Sequence, residues 1–245
     1  MACGAMAMDR DYEVKHHVLE ETNWWFCARR DMIARLIHGL PKDVRILDVG
    51  CAGGSLLKSL GELSFANSYG IDLCENAVTA CHARGLGNVF HRPGEQTGFP
   101  DSHFDLVIAS DVLEHIVDGE AALQEWNRIL RPGGRIIVFV PAFGFLWSGH
   151  DETVHHQRRY SKMALWQAAR ESGLEVSRLS YWNVALFFPT AAFRLLFKGR
   201  KGDWLYRLPF LLNELLAAMV GFENLILLHC DSPVGVSLFI VAKKP

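Results

Sequence analysis

Two kinds of apolar pattern take turns along this chain. Short continuous runs stopped by glycine or an acid predict buried strands: VRILDVG (44–50), NSYGIDL (67–73), the weaker NVFHRPG (88–94), FDLVIAS (104–110) and RIIVFV (135–140). Between them the spacing turns helical, in SLLKSL (55–60) and in ENAVTACHARG (75–85), which closes on glycine. Further on, Ala122, Leu123, Trp126, Ile129 and Leu130 share one helical face, and RPGG (131–134) terminates it. SKMALWQAARESG (161–173) predicts a helix with Ser161 as N-cap, and LEVSRLSYW (174–182) and GVSLFIVAKK (235–244) are two late strands. Ahead of the first strand, residues 10–40 carry a helical pattern with an aromatic knot, NWWFCARR (23–30), which Pro41 ends.

Strands alternating with helices at this spacing predict a mainly parallel sheet covered on both faces, with ligands beyond the carboxyl ends of the strands. Strand one ends in LDVGCAGGS (47–55), where glycines let the backbone approach a ligand and the next helix offers unpaired N–H groups. Strand two ends in Asp72, a carboxylate placed to accept hydrogen bonds from both hydroxyls of a ribose. Together they predict a nucleoside ligand. The dinucleotide fingerprint GxGxxG needs glycines at 50, 52 and 55, and the chain has Gly50, Ala52 and Ser55, so NAD fits poorly.

Asp48-x-Gly50-x-Ala52-x-Gly54 instead resembles motif I, D/E-x-G-x-G-x-G, of the class I S-adenosylmethionine-dependent methyltransferases of the type 11/12 group, with alanine at the middle glycine. GIDLCENAV (70–78) resembles their acidic second motif, GFPDSHFDLVIASDVLEHI (98–116) their fourth-strand region, and RILRPGGRIIVFVP (128–141) their entry into strand five. The resemblance covers roughly residues 44–141. It implies a Rossmann-like, doubly wound seven-stranded α/β sheet in the order 3-2-1-4-5-7-6, last strand antiparallel, with an N-terminal helical cap and a helical insertion before that strand. The expected organisation is one domain over 1–245: cap 1–40, cofactor core 41–145, and substrate-side loop, apolar helices and last strands in 146–245. The resemblance also implies S-adenosyl-L-methionine as cofactor and S-adenosyl-L-homocysteine as product. Asp72 is expected at the ribose hydroxyls with Leu73 also at the cofactor, Gly50, Cys51, Ala52 and Gly54 along the methionine part, and Asp48 near its ammonium. Glu95 is expected at the adenine amino group. Ser110 and Asp111 border cofactor and acceptor, with Asp111 a catalytic candidate that could equally cap a helix beginning VLEHI.

Methyl transfer from a sulfonium is an in-line displacement that mainly needs positioning; a base is required when the acceptor must lose a proton early. No metal is required by the transfer itself, and none is expected. The segment WSGHDETVHHQRRYS (147–161) follows strand five on the ligand side and holds three histidines, two acids and two arginines. A metal cluster of His150, Asp151, His155 and His156 lacks an established ligand spacing, and a plain solvated loop is a second reading, because loops are polar by default. An acceptor site is the third reading: His150 or His156 as base, Arg158 and Arg159 on a phosphate or carboxylate, with Asp151 and Tyr160 alongside. The segment is similar to an HDxxxxHxRRYS pattern in a bacterial subset of these enzymes. NWWFCARR is similar to the start of the same subset, with Trp24, Trp25 and Phe26 closing over the cofactor or acceptor and Arg29 or Arg30 at the cofactor carboxylate; the plain alternative is that the tryptophans pack a cap helix.

Residues 182–230 are apolar beyond what such a sheet needs, with Pro189, Pro209, Asn213, Glu214, Glu223 and Asn224 interrupting any bilayer-length run. Membrane-surface contact, aided by Lys198, Arg200 and Lys201, competes with a homodimer interface or a lid. Both suit a small-molecule acceptor that is lipid-like, lipid-linked or anionic. Across the 245 residues the net charge is −2 and 21% are charged, which gives nucleic acid no support as a partner. Six scattered cysteines without a CxxC pair, and MACGAMAMDR at the start instead of a secretory pattern, predict a cytoplasmic chain, peripheral to the membrane if the apolar region docks there. The rival functions are a non-catalytic cofactor-binding or membrane-adaptor protein and, with its broken fingerprint, an NAD-dependent oxidoreductase.

Overall fold

A computed structural model describes residues 19–199 and 207–245, so the start of the aromatic-knot segment and Arg200 and Lys201 lie outside the described residues. The elements in chain order are α1 (Trp24–Leu36), β1 (Ile46–Val49), α2 (Ser55–Glu62), β2 (Ser68–Asp72), α3 (Glu75–Ala83), β3 (Val89–His91), β4 (Phe104–Ser110), α4 (Gly119–Ile129) and β5 (Leu130–Pro141). A single 3₁₀ turn (Gly144–Leu146) leads into α5 (Gly149–Thr153), α6 (Lys162–Glu171), β6 (Glu175–Trp182), α7 (Phe187–Leu196), α8 (Phe210–Leu227) and β7 (Ser237–Lys243). The seven strands form one sheet in the order β3-β2-β1-β4-β5-β7-β6, parallel except that β7 runs antiparallel to both neighbours.

The sheet has two cores because a strand sends alternate side chains to opposite faces. Along β5, Ile136, Val138 and Val140 join Trp126 of α4 and Leu165 of α6 in one core, while Ile137 and Phe139 join Met32 of α1, Leu57 of α2 and Val220 of α8 in the other. Every residue of β1 is buried, as a central parallel strand requires.

Local chemistry sets the boundaries, and in three places they differ from expectation. The helix before strand five stops at Ile129, and Leu130 already pairs with Phe104 ahead of a bulge, so RPGG begins β5 rather than separating it from a helix. VLEHI forms turns, not a helix; α4 begins at Gly119, where the Asp118 side chain accepts from Ala121 N–H at 3.0 Å. Asp111 therefore caps no helix. Ser161 does cap α6, accepting from Ala164 N–H at 3.1 Å.

The third difference is α8. Its polar residues were expected to interrupt an apolar stretch, yet they face the protein and hold the helix down. Asn224 accepts from the Trp182 indole N–H (2.8 Å) and donates to Ala28 carbonyl (2.9 Å) and Asp31 (2.8 Å). Glu223 accepts from Val184 and Ala185 N–H, and Asn213 accepts from Trp24 N–H at 2.9 Å. The apolar residues point outward: Leu211 is 80% exposed, Phe210 75%, Leu215 65% and Phe222 64%. The helix is inside-out relative to an ordinary surface helix. Among the described residues it is the one helix long and apolar enough to cross a membrane, by length and composition, at 18 residues and mean hydropathy 1.6.

Candidate active site

The glycine loop leaves β1 with Gly50 at φ 71° and Gly54 at φ 84°, both in the left-handed region. A Cβ on Gly50 would lie 2.4 Å from a Val112 methyl, so this glycine is also a close approach between the loop and the segment after β4. Ala52, at φ 45°, holds the same left-handed form with a methyl group present. What fixes it is Asp72 at the end of β2, whose Oδ2 accepts from Ala52 N–H at 2.8 Å while Oδ1 accepts from Cys74 N–H at 2.8 Å. The predicted ribose acid and the predicted glycine loop thus form one unit. Asp48 is buried beneath it, and burial, reinforced by the negative Asp72, pushes its carboxyl well up. Cys51 is buried in the second core with Leu57, its thiol hydrogen-bonded with that of Cys81. Leu73 is half exposed beside Asp72, and Glu95 is exposed on the loop after β3.

One residue here was not anticipated. Glu20 is buried against the loop, accepting from Gly53 N–H at 3.2 Å, while Arg84 donates to Gly53 carbonyl at 2.7 Å. A Cβ on Gly53 would sit 2.0 Å from Glu20 Oε1. Burial pushes the Glu20 carboxyl up to about 7 against the opposing pull of Arg84 and the Gly53 N–H. A folded-state value above the ordinary one means that the protonated form favours the folded segment, and that this stabilisation is lost as pH rises through about 7. Hydrogen exchange over residues 19–23, corrected for intrinsic rates, is expected to speed up between pH 6 and pH 8 in the wild type (a window of about one unit either side of the folded value) and to stay level in Glu20→Gln. Equal pH responses in the two proteins would remove Glu20 as the cause.

At the carboxyl end of β4, Asp111 takes φ 57° and pairs with Arg29, Oδ2 to Nη1 at 3.0 Å. The same Nη1 donates to Ser110 Oγ at 3.2 Å, and Nη2 reaches Ser237 Oγ at 3.4 Å. The guanidinium lies between aromatic faces, 4.2 Å from the Phe139 and Trp182 rings and 5.2 Å from Trp25. Burial lowers its pKa against the pull of Asp111 and Glu114. Arg29, expected at a cofactor carboxylate, here ties α1 to the ends of β4 and β7. Trp25 meets Trp24 and Trp182 edge-on at 5.7 and 5.0 Å, half-buried between the second core and a small cluster around Phe187.

The histidine loop is organised by Asp151, which has no exposed surface. Oδ2 accepts from Ser148 N–H (2.9 Å), Ser148 O–H (3.2 Å) and Arg194 Nη1 (2.8 Å); Oδ1 accepts from His156 Nδ1 (2.8 Å) and Arg159 Nε (2.8 Å). Burial alone would raise this carboxyl, but the His156 hydrogen bond and the charges of Arg159 and Arg194 outweigh it and hold it far below the usual range. Arg159 also donates to Ala142 carbonyl at 2.9 Å. Asp151 and Arg159, expected to face the acceptor, are therefore engaged with each other and with the loop backbone, because a buried charge needs its partners. Tyr160 is buried too, bridging to Ala142 and donating toward Leu113 carbonyl at 3.5 Å, with burial pushing its hydroxyl up to about 12. Arg158 is exposed and donates to Val117 carbonyl. His150 is held neutral, its pKa lowered to about 4 by burial and the Arg194 charge, and its Nδ1 has no hydrogen-bond partner.

Known proteins resemble this chain in sequence over the first five strands and in fold. A family model described as a methyltransferase domain matches residues 47–138, from the glycine loop through β5. The human mitochondrial ubiquinone biosynthesis O-methyltransferase is 36% identical over 111 residues, 39% of this chain and 28% of that protein. A probable S-adenosylmethionine-dependent methyltransferase of Mycolicibacterium smegmatis is 28% identical over 162 residues, 64% of this chain and 62% of its own length. The chain thus spans less than two thirds of these relatives. A methyltransferase from Haloferax volcanii, solved in complex with the Trm112 methyltransferase activator, superposes with a TM-score of 0.65 at 18% identity, covering 96% of this chain and 95% of that one. The family model makes residues 47–138 a methyltransferase domain, and the strand order with the glycine loop joined to Asp72 gives the chain the fold of the class I S-adenosylmethionine-dependent methyltransferases.

Proposed function

We propose that the chain transfers the methyl group of S-adenosylmethionine to a hydroxyl of a lipid-like or lipid-linked acceptor presented at a membrane surface. The observation that carries the acceptor class is the inverted helix α8. Its outward face offers Phe210, Leu211, Leu215 and Phe222 to the surroundings while its polar groups are tied inward. Neighbouring α7 adds Phe188 and Leu196, 73% and 77% exposed. Apolar contact of this breadth on one side is a surface for an apolar medium. The exposed Arg207 and Lys198 beside it suit anionic headgroups. An oxygen acceptor is supported by the name of the human relative, an O-methyltransferase.

In this reading Asp72 and the glycine loop hold the nucleoside, and Asp48 lies at the methionine ammonium. Ser110 and Asp111 border the acceptor, and the neutral His150 takes its proton. Asp151 and Arg159 are positioning residues, and Arg158 is the arginine left to meet an anionic group. Leu73 and Glu95 flank the adenine, and Trp25 the acceptor entrance.

Incubating the protein with methyl-labelled donor and separate lipid and water-soluble extracts, followed by mass spectrometry, tests the proposal. Label in a hydroxyl-derived ether of the lipid fraction is expected. Label only in water-soluble species would overturn the acceptor class, and cofactor binding without label anywhere would favour a non-catalytic role. Flotation with phosphatidylglycerol vesicles is expected for the wild type and lost in Leu211→Glu/Leu215→Glu. A dimer by light scattering with no flotation would assign this face to a second copy instead.

A further inference from the structure

We propose that Glu114, His115 and His156 form a binding site for a divalent transition-metal cation. These are not the histidine-loop residues His150, Asp151 and His155. Folding brings together a different set, from two segments. Glu114 and His115 lie in the turn after β4, and His156 follows α5. Each offers one ligand atom, and these atoms lie within 4.8 Å of one another. The imidazoles of His115 and His156 meet edge-on with centroids 4.7 Å apart, and His156 Nε2 is 3.9 Å from Glu114 Oε1. Ligand bonds of about 2.0–2.2 Å set donor atoms roughly 3–3.5 Å apart around one ion, so closing the site needs movements on the order of 1 Å.

Two independent observations point to a ligand. Glu114 is 1% exposed, and its Oε2 has no hydrogen-bond partner. An unsatisfied buried carboxylate oxygen is destabilising, and a bound cation removes that penalty. Second, the surroundings hold His156 as a ligand needs. Asp151 accepts from His156 Nδ1 at 2.8 Å, so the proton sits on Nδ1 and the lone pair on Nε2 faces Glu114. A carboxylate behind a histidine is the usual support of a metal ligand. Gln157 N–H donating to Glu114 carbonyl at 2.7 Å locks the two segments together.

Two imidazoles and one carboxylate suit zinc, cobalt, nickel or iron better than magnesium or calcium, and three protein ligands leave coordination positions open. The use made of the open position rests on the methyltransferase reading; the binding does not. There an acceptor hydroxyl would lower its pKa and give up its proton to His150. Its oxygen lone pair would attack the methyl carbon, the carbon–sulfur bond would break with its electrons passing to sulfur, and the products are the methyl ether and S-adenosylhomocysteine.

The test is to strip the full chain with chelator and titrate it with Co²⁺, following visible absorption and then displacement by Zn²⁺. The wild type is expected to take up one equivalent of cobalt. His156→Ala and Glu114→Gln are expected to bind roughly 10–100-fold more weakly or not at all, with circular dichroism reporting that both remain folded. No stoichiometric uptake by the wild type, or uptake unchanged in both variants, overturns the site and leaves Glu114 as a partner of His156 alone. S-adenosylhomocysteine binding measured on the same samples separates the claims. Its absence with cobalt binding intact sinks the methyltransferase reading, and its presence without cobalt sinks the metal site.

Discussion

Replacing Asp151 by asparagine is expected to lower the melting temperature by roughly 10 °C at neutral pH. The carboxylate is completely buried and takes five hydrogen bonds, two of them from arginines whose side chains are 1% and 15% exposed. An amide accepts at one oxygen only and turns N–H groups toward donors at the other. Arg159 and Arg194 are then left buried without their counter-charge. Breaking a buried pair from one side costs about 3–5 kcal/mol, and in a chain of this size each kcal/mol moves the melting point about 2–4 °C. The sign with pH follows from the depressed carboxyl. Its contribution is present above the ordinary carboxylate value and is lost as pH falls toward the folded-state value. Thermal melts at pH 7 and about pH 3 should therefore show a large gap between wild type and variant at the higher pH and a smaller one at the lower. A shift under about 3 °C at neutral pH, worth about 1 kcal/mol, would mean that Asp151 does not hold the loop together.

The second large effect is on the cofactor. Asp72→Ala is expected to weaken S-adenosylhomocysteine binding by roughly 100-fold or more, and Asp72→Asn by roughly tenfold. Alanine loses both carboxylate hydrogen bonds to a ribose, each about 1.5–3 kcal/mol for a charged acceptor. It also frees the Ala52 and Cys74 N–H groups that Asp72 now accepts from at 2.8 Å, so the loop itself slackens. Asparagine keeps one acceptor. Calorimetric affinities within threefold of the wild type for both variants would place the ribose elsewhere.

Much of this architecture is legible in local pattern. FDLVIAS is β4 to the residue, because the central residues of a buried parallel strand, here Leu106 to Ala109, form a continuous apolar run. The glycine loop and Asp72 stand out because backbone approach and a strand-end acid each leave a local mark. What was not legible depends on tertiary contact. Glu20 reaches Gly53 across 33 residues, a contact that the helical pattern of residues 10–40 does not announce. Asn224 and Glu223 look like breaks in an apolar run, and only the position of Trp182 and of the Val184 and Ala185 amides makes them anchors. Arg158 and Arg159 are adjacent in sequence, yet one is exposed and the other pairs with buried Asp151, a difference that no spacing rule carries. Glu114 reads as one residue of a helix start until His156 arrives opposite it.

The central claim is that the loop between β1 and α2, joined to Asp72, binds a sulfur nucleoside. Isothermal titration of the full chain with S-adenosylmethionine, S-adenosylhomocysteine and NAD tests it most directly. Saturable one-to-one binding of both sulfur nucleosides, mutually competitive, with none of NAD, is the expected result. Tight NAD binding without either sulfur nucleoside would contradict it.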